Sequence, residues 1–470
     1  MTATAYQRAT AYLFGRIDYE RAPAVTYGAR QFKLERMHQL LAAMGNPHHS
    51  LPIVHVAGTK GKGSTSTMIA AILTAAGQRT GLFTSPHLVN LEERIAVDGQ
   101  SCSPDELVAL VEQLRPVVDS MDREAAQHQE ECGPTYFELT TVMALLYFAQ
   151  RRTQAAVLEV GLGGRLDSTN VCLPEVSVIT SISFDHMRQL GNTLAEIAYE
   201  KAGIVKPRVP VITGVSQAEP LAVIERVCAE RGSPLVRLGR EFAFQYHPPH
   251  LVDHHRGFSR LDFVDHVEPG GSYQNLQLGM LGRHQAANAA VALATISQLR
   301  QRGWNIDEQA IRTGLATAHS PARVEVVSRQ PTVILDAAHN EASIAALLET
   351  LDESFSPRRR VLIFATTQDK SVREMMALLL PRFDQVLLTR YQNNPRGVPV
   401  EALLEIAAEF GEAARCRPCT DPAAAWEVAR GIVGQDHLLC VTGSFFIAAE
   451  IGTEVRRRPF ALPAVGSRTA

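Results

Sequence analysis

No uninterrupted apolar run in this sequence reaches the roughly 18 residues that a bilayer-spanning helix needs, so no membrane span is expected. The segment from Met1 to Thr10 lacks a basic patch followed by an apolar stretch, so no secretory signal is expected and the cytoplasm is the default compartment. Charge of one sign is also lacking. Lys and Arg number 46 against 49 Asp and Glu, a formal net charge of −3. Neither a nucleic-acid-binding basic excess nor an acidic tail for partners is present. The cysteines lack the pattern of a disulfide framework: there are seven, an odd number, scattered through a long chain. Cys416 and Cys419 form a CxxC, but no second pair or nearby His cluster completes a zinc site. Internal repeats and long low-complexity segments are absent, and no convincing Ser–His–Asp or Cys–His set announces a covalent nucleophile.

What remains is a globular chain of 470 residues, 46% hydrophobic and 20% charged, too long for one ordinary core. The coarse pattern is strand, Gly-rich turn, helix, repeated. Ile53–Ala57 is a short β-branched run ending at Gly58, followed by a small-residue helical stretch over 64–76. Residues 156–160 and 176–180 are further apolar runs with polar or glycine ends. Strands buried on both faces of a parallel sheet read this way, so residues 53–215 predict a doubly wound α/β domain. A polar stretch opens at His247-Pro248-Pro249-His250 and contains His254 and His255. It reads as a solvated loop before a β-hairpin over 261–264 and 273–278. Helices are expected over 282–302 and 311–320, with a linker at Pro321. A second α/β series follows, with strands over 333–336, 361–365, 386–389 and 438–442. Its helices are expected over 342–351, 402–410 and 423–433. The division is therefore a larger domain over 1–318 and a smaller one over 319–470. The acidic, Gln-rich run 116–132 reads as an exposed helix extension.

Four segments carry chemistry. Gly58-Thr59-Lys60-Gly61-Lys62-Gly63-Ser64-Thr65 leaves a strand and opens a helix. Backbone N–H groups and a helix N-terminus there make a phosphate cradle, with Lys62 in reach of the outer phosphates. The strict P-loop pattern is broken twice, since Val56 stands where the first Gly belongs and Gly63 follows the Lys. Thr84-Ser85-Pro86-His87-Leu88, then Glu93-Arg94-Ile95, is by itself an ordinary turn and cap. Glu159-Val160-Gly161-Leu162-Gly163-Gly164-Arg165-Leu166-Asp167 puts a carboxylate at the ligand-binding edge of a sheet, where it suits magnesium or simply a turn. Ser183-Phe184-Asp185-His186 follows another strand, and Glu200-Lys201-Ala202-Gly203-Ile204 closes a helix downstream.

In this order, the segments resemble the folylpolyglutamate synthase/dihydrofolate synthase branch of the Mur ligase family. The resemblance runs from about Lys33 to Ser444. It continues through His284-Gln285, Asn288-Ala289, Pro321-Ala322-Arg323, Leu335-Asp336-Ala337-Ala338-His339-Asn340 and Thr442-Gly443-Ser444. It implies an N-terminal P-loop-type ATPase domain with a mainly parallel sheet and a smaller C-terminal Rossmann-like domain. Thr59, Gly61, Lys62, Gly63 and Ser64 would hold the ATP phosphates, with Asn288 on the adenine side and Arg323 and Asp336 contributed by the second domain. Ser85, Glu159 and His186 would bind Mg2+, and Lys201 would carry a carbamate. Lys201, Lys62 and His186 would form the catalytic set. Leu34, Glu35, Arg36, Thr135, Tyr136, Phe137, Leu166 and Asp167 would line the folate or dihydropteroate site.

The implied reaction joins L-glutamate to a folate, and to dihydropteroate, through an acyl phosphate, releasing ADP and phosphate from a monomeric enzyme. Departures from the family pattern are Lys60 in place of Asn, Ala322 and Ala337 in place of Gly, Glu341 in place of Pro, and the apparent insertion at 116–132. Two other readings compete. One is a Mur-type ligase acting on a peptidoglycan precursor, disfavoured because no UDP-sugar domain segment precedes Gly58. The other is a non-ligase NTP-binding switch, disfavoured by the second α/β series with Arg323 and Asp336.

Overall fold

The structure is a computed structural model that describes residues 3–18, 34–127, 133–249, 252, 257–268, 270–392 and 394–460. His250, His254, His255 and the end of the 116–132 run lie outside them. The chain divides into two compact units. One comprises Met1–Gln245, Leu261–Gln277 and Ala287–His319; the other comprises Tyr246–Arg260, Leu278–Ala286 and Ser320–Ala470. The segment after Tyr246 belongs with the second unit for a visible reason. Val252 N–H donates to Ser354 O at 2.9 Å and Tyr246 O–H to Glu353 Oε1 at 2.5 Å, both at the end of the helix Glu341–Ser354.

The first unit is built on eight strands: β1 (Ile53–Ala57), β2 (Thr80–Phe83), β3 (Ile95–Val97), β4 (Gln100–Ser101), β5 (Ala155–Glu159), β6 (Val176–Ile179), β7 (Val211–Thr213) and β8 (Leu235–Arg237). Their order is β4-β3-β2-β5-β1-β6-β7-β8. From β2 to β8 every neighbour is parallel, while β3 and β4 add an antiparallel edge. β1, β5 and β6 are buried at every position, as a sheet covered on both faces demands. The helix Tyr136–Gln150 is apolar nearly all round, which is the composition of a helix enclosed by a core. The chain leaves β1 toward β2 on one side and reaches β6 on the other. The carboxyl end of β1 is thus a topological switch point, where open α/β sheets place their ligands.

Three further strands, β9 (Phe242–His247), β10 (Ser259–Asp265) and β11 (Tyr273–Leu278), form a separate sheet in the order β11-β10-β9. The expected hairpin is therefore two-thirds of a sheet whose remaining strand runs into the His-Pro-Pro segment. The second unit carries β12 (Glu325–Arg329), β13 (Thr332–Leu335), β14 (Arg359–Phe364), β15 (Gln385–Leu388), β16 (Cys416–Pro418) and β17 (His437–Thr442) in the order β12-β13-β17-β14-β15-β16. All pairs but β12–β13 are parallel. The 116–127 part of the acidic run continues the helix Pro104–Gln127, and its Val118 is buried. Among the described residues no helix is long and apolar enough to cross a membrane.

Candidate functional site

The strand order places four chemistry-bearing chain segments side by side on one edge of the first sheet. Ser85 follows β2, Glu159 ends β5, Gly58 follows β1, and Thr180 to His186 follow β6. Register holds them level, with Val56 opposite Glu159 and Ala57 opposite Ile179.

The turn from β1 into the helix Lys62–Ala75 requires glycine twice. Gly58 has φ 149°, and a Cβ there would collide with Thr180 Oγ1; Gly61 has φ 83°, and a Cβ would collide with Asn288 Oδ1. Gly61 is the helix N-cap and offers no side chain to the first turn, so the positive end of that helix faces whatever binds. Gly63 lies in the same turn, where an added Cβ would stand 3.4 Å from Glu159 Oε2. Ser64 is buried in that turn.

The Gly58 carbonyl gathers two lysines. Lys62 Nζ donates to it at 3.2 Å and Lys201 Nζ at 2.9 Å. Lys201 is buried at the end of the helix Leu194–Ala202, and burial with Lys62 as a like-charged neighbour pulls its pKa from 10.5 to about 7. Two carboxylates, Asp185 and Asp167, oppose that shift.

Other ties brace the turn against the loop after β6. Thr59 Oγ1 donates to Ser183 O at 3.2 Å and accepts Ser183 N–H at 3.1 Å. Thr59 N–H donates to Ser181 O at 2.7 Å. Lys60 Nζ meets Asp185 Oδ2 at 2.6 Å. The Lys60–Asp185 pair is a feature that sequence reading missed; its signal was the unusual Lys60 beside an Asp in the Phe184-Asp185-His186 motif.

Of the three expected metal ligands, two adjoin. Ser85 N–H donates to Glu159 Oε2 at 3.1 Å, and Glu159 is buried. His186 takes a left-handed backbone, φ 49°, and its half-exposed side chain lies with Nε2 3.9 Å from Asp185 Oδ1. Among the described residues no three His, Cys, Asp or Glu side chains converge as a metal set.

The expected folate-site residues have structural partners. Arg36 forms a buried pair with Glu138 at 2.8 Å. Glu138 also accepts Thr135 N–H at 2.7 Å, while Thr135 Oγ1 accepts Glu138 N–H at 3.3 Å, closing a capping box on the helix Tyr136–Gln150. Thr135→Ala is expected to lower stability by about 1 kcal/mol, read from the denaturant midpoint; an unchanged midpoint would detach the hydroxyl from this capping role. Leu34 and Leu166 are half-buried and Glu35 is exposed. Phe137 closes on the glycine loop, where a Cβ on Gly161 would stand 2.5 Å from its Cζ.

In the second unit, Arg323 sits between two residues of left-handed backbone, Ala322 at φ 53° and Val324 at φ 48°. Such a conformation is costly for a β-branched residue and persists only when its surroundings fix it. Asp336 supplies the fixing: its Oδ2 accepts Val324 N–H at 2.9 Å and its Oδ1 accepts Ala338 N–H at 2.8 Å. Burial pushes the Asp336 pKa up. The Arg323 guanidinium lies 4.6 Å over the Phe445 ring. Burial and Arg323 together push His284 down to about 4.

Residues 56–296 match the model of the Mur ligase middle domain, and residues 322–445 that of the Mur ligase glutamate ligase domain. The chain is 34% identical over 451 residues to a dihydrofolate synthase/folylpolyglutamate synthase of Bacillus subtilis, covering 95% of this chain and 98% of that protein. Among solved structures, it is similar to Mycobacterium tuberculosis folylpolyglutamate synthase complexed with ADP, with TM-score 0.84, 33% identity, and coverage of 97% of this chain and 99% of that one. It is likewise similar to E. coli FolC in complex with DHPP and ADP, with TM-score 0.78, 31% identity, and coverage of 97% and 100%.

Proposed function

Because the chain belongs to the folylpolyglutamate synthase/dihydrofolate synthase branch of the Mur ligases, ATP-dependent ligases that join glutamate to folates, we propose the following roles for its residues. The observation that carries them is the convergence of Lys62 and Lys201 on one carbonyl, at a sheet edge that also holds Glu159 and Ser85.

Forming an amide from a carboxylate is uphill in water. Transfer of the γ-phosphoryl group to the substrate carboxylate gives an acyl phosphate and ADP. The glutamate amine then attacks the acyl carbon, and phosphate leaves as the C–N bond closes. Lys62 and the uncapped helix turn of Gly61, Lys62, Gly63 and Ser64 neutralise the phosphates, so catalysis is chiefly positioning and charge stabilisation. Thr59 acts through its ties to Ser183, bracing the cradle. Asn288, packed against Gly61, faces the nucleoside side. Within the second unit, Arg323 is the cation for ATP and Asp336 the brace that fixes its loop.

Magnesium suits the donor chemistry present: Glu159 is a buried carboxylate beside the phosphate helix, and Ser85 adds a hydroxyl, both hard oxygen donors. His186, half-exposed beside Asp185, would add the third ligand. Bound there, the ion would neutralise phosphate charge. Lys201 is the carbamate carrier, since a buried amine with a pKa near 7 has the neutral form that carbon dioxide requires. The folate or dihydropteroate rings lie along Phe137, Leu166 and the loop ending at Asp167, near Leu34 and Glu35, while Arg36 and Thr135 shape that wall through Glu138. The enzyme acts as a monomer.

The deciding experiment supplies purified protein with ATP, magnesium and glutamate, plus either dihydropteroate or reduced folate. Glutamate-dependent ADP release and a new amide are expected with both. Turnover of reduced folate alone would restrict the enzyme to polyglutamylation. No glutamate-dependent ADP release with either would overturn the reading.

A further inference from the structure

From Asp167 a string of hydrogen bonds runs to two buried polar groups, Thr169 and His55, that none of these roles uses. His55 stands in the middle of β1, fully buried, with Nε2 2.8 Å from Thr169 Oγ1. Thr169 is also fully buried, and its Oγ1 lies 2.5 Å from Asp167 Oδ1 while its N–H reaches the same oxygen at 3.0 Å. On the other carboxylate oxygen, Asp167 Oδ2 accepts Leu162 N–H at 2.9 Å.

The direction of the string follows from counting protons. A threonine hydroxyl has one hydrogen, and the short approach to a carboxylate commits it to Asp167. The hydroxyl oxygen must then accept from His55, so the imidazole is neutral with its proton on Nε2. Burial agrees, holding the His55 pKa down at about 3. Among the described residues, His55 Nδ1 is buried with no hydrogen-bond partner. An apolar residue would fill a central strand without that cost. What histidine adds at this position is the donor to Thr169.

The loop that Asp167 closes is docked at its other face on the helix bearing Lys201. Arg165 N–H donates to Glu200 O at 2.8 Å. Asn170 Nδ2 donates to Arg165 O at 3.0 Å and to Gly203 O at 3.3 Å. Gly164 must lack a side chain here, since its Cβ would stand 2.9 Å from Lys201 O.

We propose that His55, acting through Thr169, is a positioning residue for the folate-type substrate: it locks the Asp167 carboxylate in one orientation and thereby the backbone of residues 161–167. The proposal rests on the reading that this loop lines the substrate site. Losing the lock would tilt the loop against the Lys201 helix, whereas the phosphate turn keeps its separate ties through Thr59 and Lys60.

Thr169→Val removes the hydroxyl at nearly constant volume. The expected result is a rise of about tenfold in KM for dihydropteroate and for reduced folate, with half-saturation by ATP unchanged. Thr169→Ser should restore KM. His55→Leu should reproduce the defect and His55→Gln, which keeps a donor, should relieve it; this pair carries the comparison if Thr169→Val does not fold. In the unmodified protein, nitrogen-15 NMR should show His55 neutral with Nε2 protonated. An Nδ1-protonated or charged His55, an unchanged folate KM, or an equal rise in the ATP KM would overturn the proposal. Failure of the unmodified enzyme to use either folate substrate would instead refute the substrate reading on which the proposal stands.

Discussion

Lys62→Ala should lower ligation by roughly a hundred- to a thousandfold and leave the fold intact. Lys62 opens the helix of the phosphate turn, and in a water-excluded site one preorganised donor counts for far more than in solution. Structurally the loss is a single hydrogen bond to the Gly58 carbonyl, which Lys201 still occupies. A second effect is diagnostic. Lys62 is a like charge that helps depress Lys201, so its removal should let the Lys201 pKa climb from about 7 toward its usual range. Single-turnover ADP formation, followed across pH, reads both effects. A folded mutant with near-normal turnover would remove the phosphate-cradle role.

Lys201→Ala should be of similar size, with partial rescue by short carboxylic acids that replace a carbamate. The pH dependence has a definite sign. Below about 7 the amine is protonated and cannot take up carbon dioxide; above it the neutral amine predominates. Carbamate occupancy and activity should therefore fall as pH drops through 7, and added bicarbonate should oppose the fall. Stability follows the same window by linkage. Between about 7 and 10.5 the unfolded chain keeps a proton that folded Lys201 has released, so stability rises with pH across that interval and is lowest below it. Carbon-13 NMR of bicarbonate-supplied enzyme would show the carbamate carbon. A fully active enzyme with an unmodified amine would refute the assignment.

The sheet edge was legible in the sequence because its signals are local. A β-branched run, a glycine and a helix start identify a strand and its ligand-facing end together, and Ile53–Ala57 lies where the pattern puts it. Strands with weaker local signals escaped. Phe242–His247 ends at two prolines and reads as the start of a loop. Glu325–Arg329 is an antiparallel edge that needs β13 beside it to be recognised, and Cys416–Pro418 is only three residues long. Partners distant in the chain were invisible for a different reason. Nothing near Arg36 announces Glu138, and nothing near His55 announces Thr169; only the fold brings them together. The polar groups of Arg36 and Thr135 are accordingly committed to a capped helix start, which no spacing rule could show.

The reciprocal bonds between Thr59 and Ser183, with the Lys60–Asp185 pair beside them, mean that two loops from different strands behave as one piece. Ordering that piece is a cost met during folding, before any nucleotide arrives. Nucleotide capture then draws on a nearly full electrostatic gain, with little entropy left to surrender locally. It also means that a displacement of Ser183 or of Asp185 reaches the phosphate turn, through Thr59 or through Lys60.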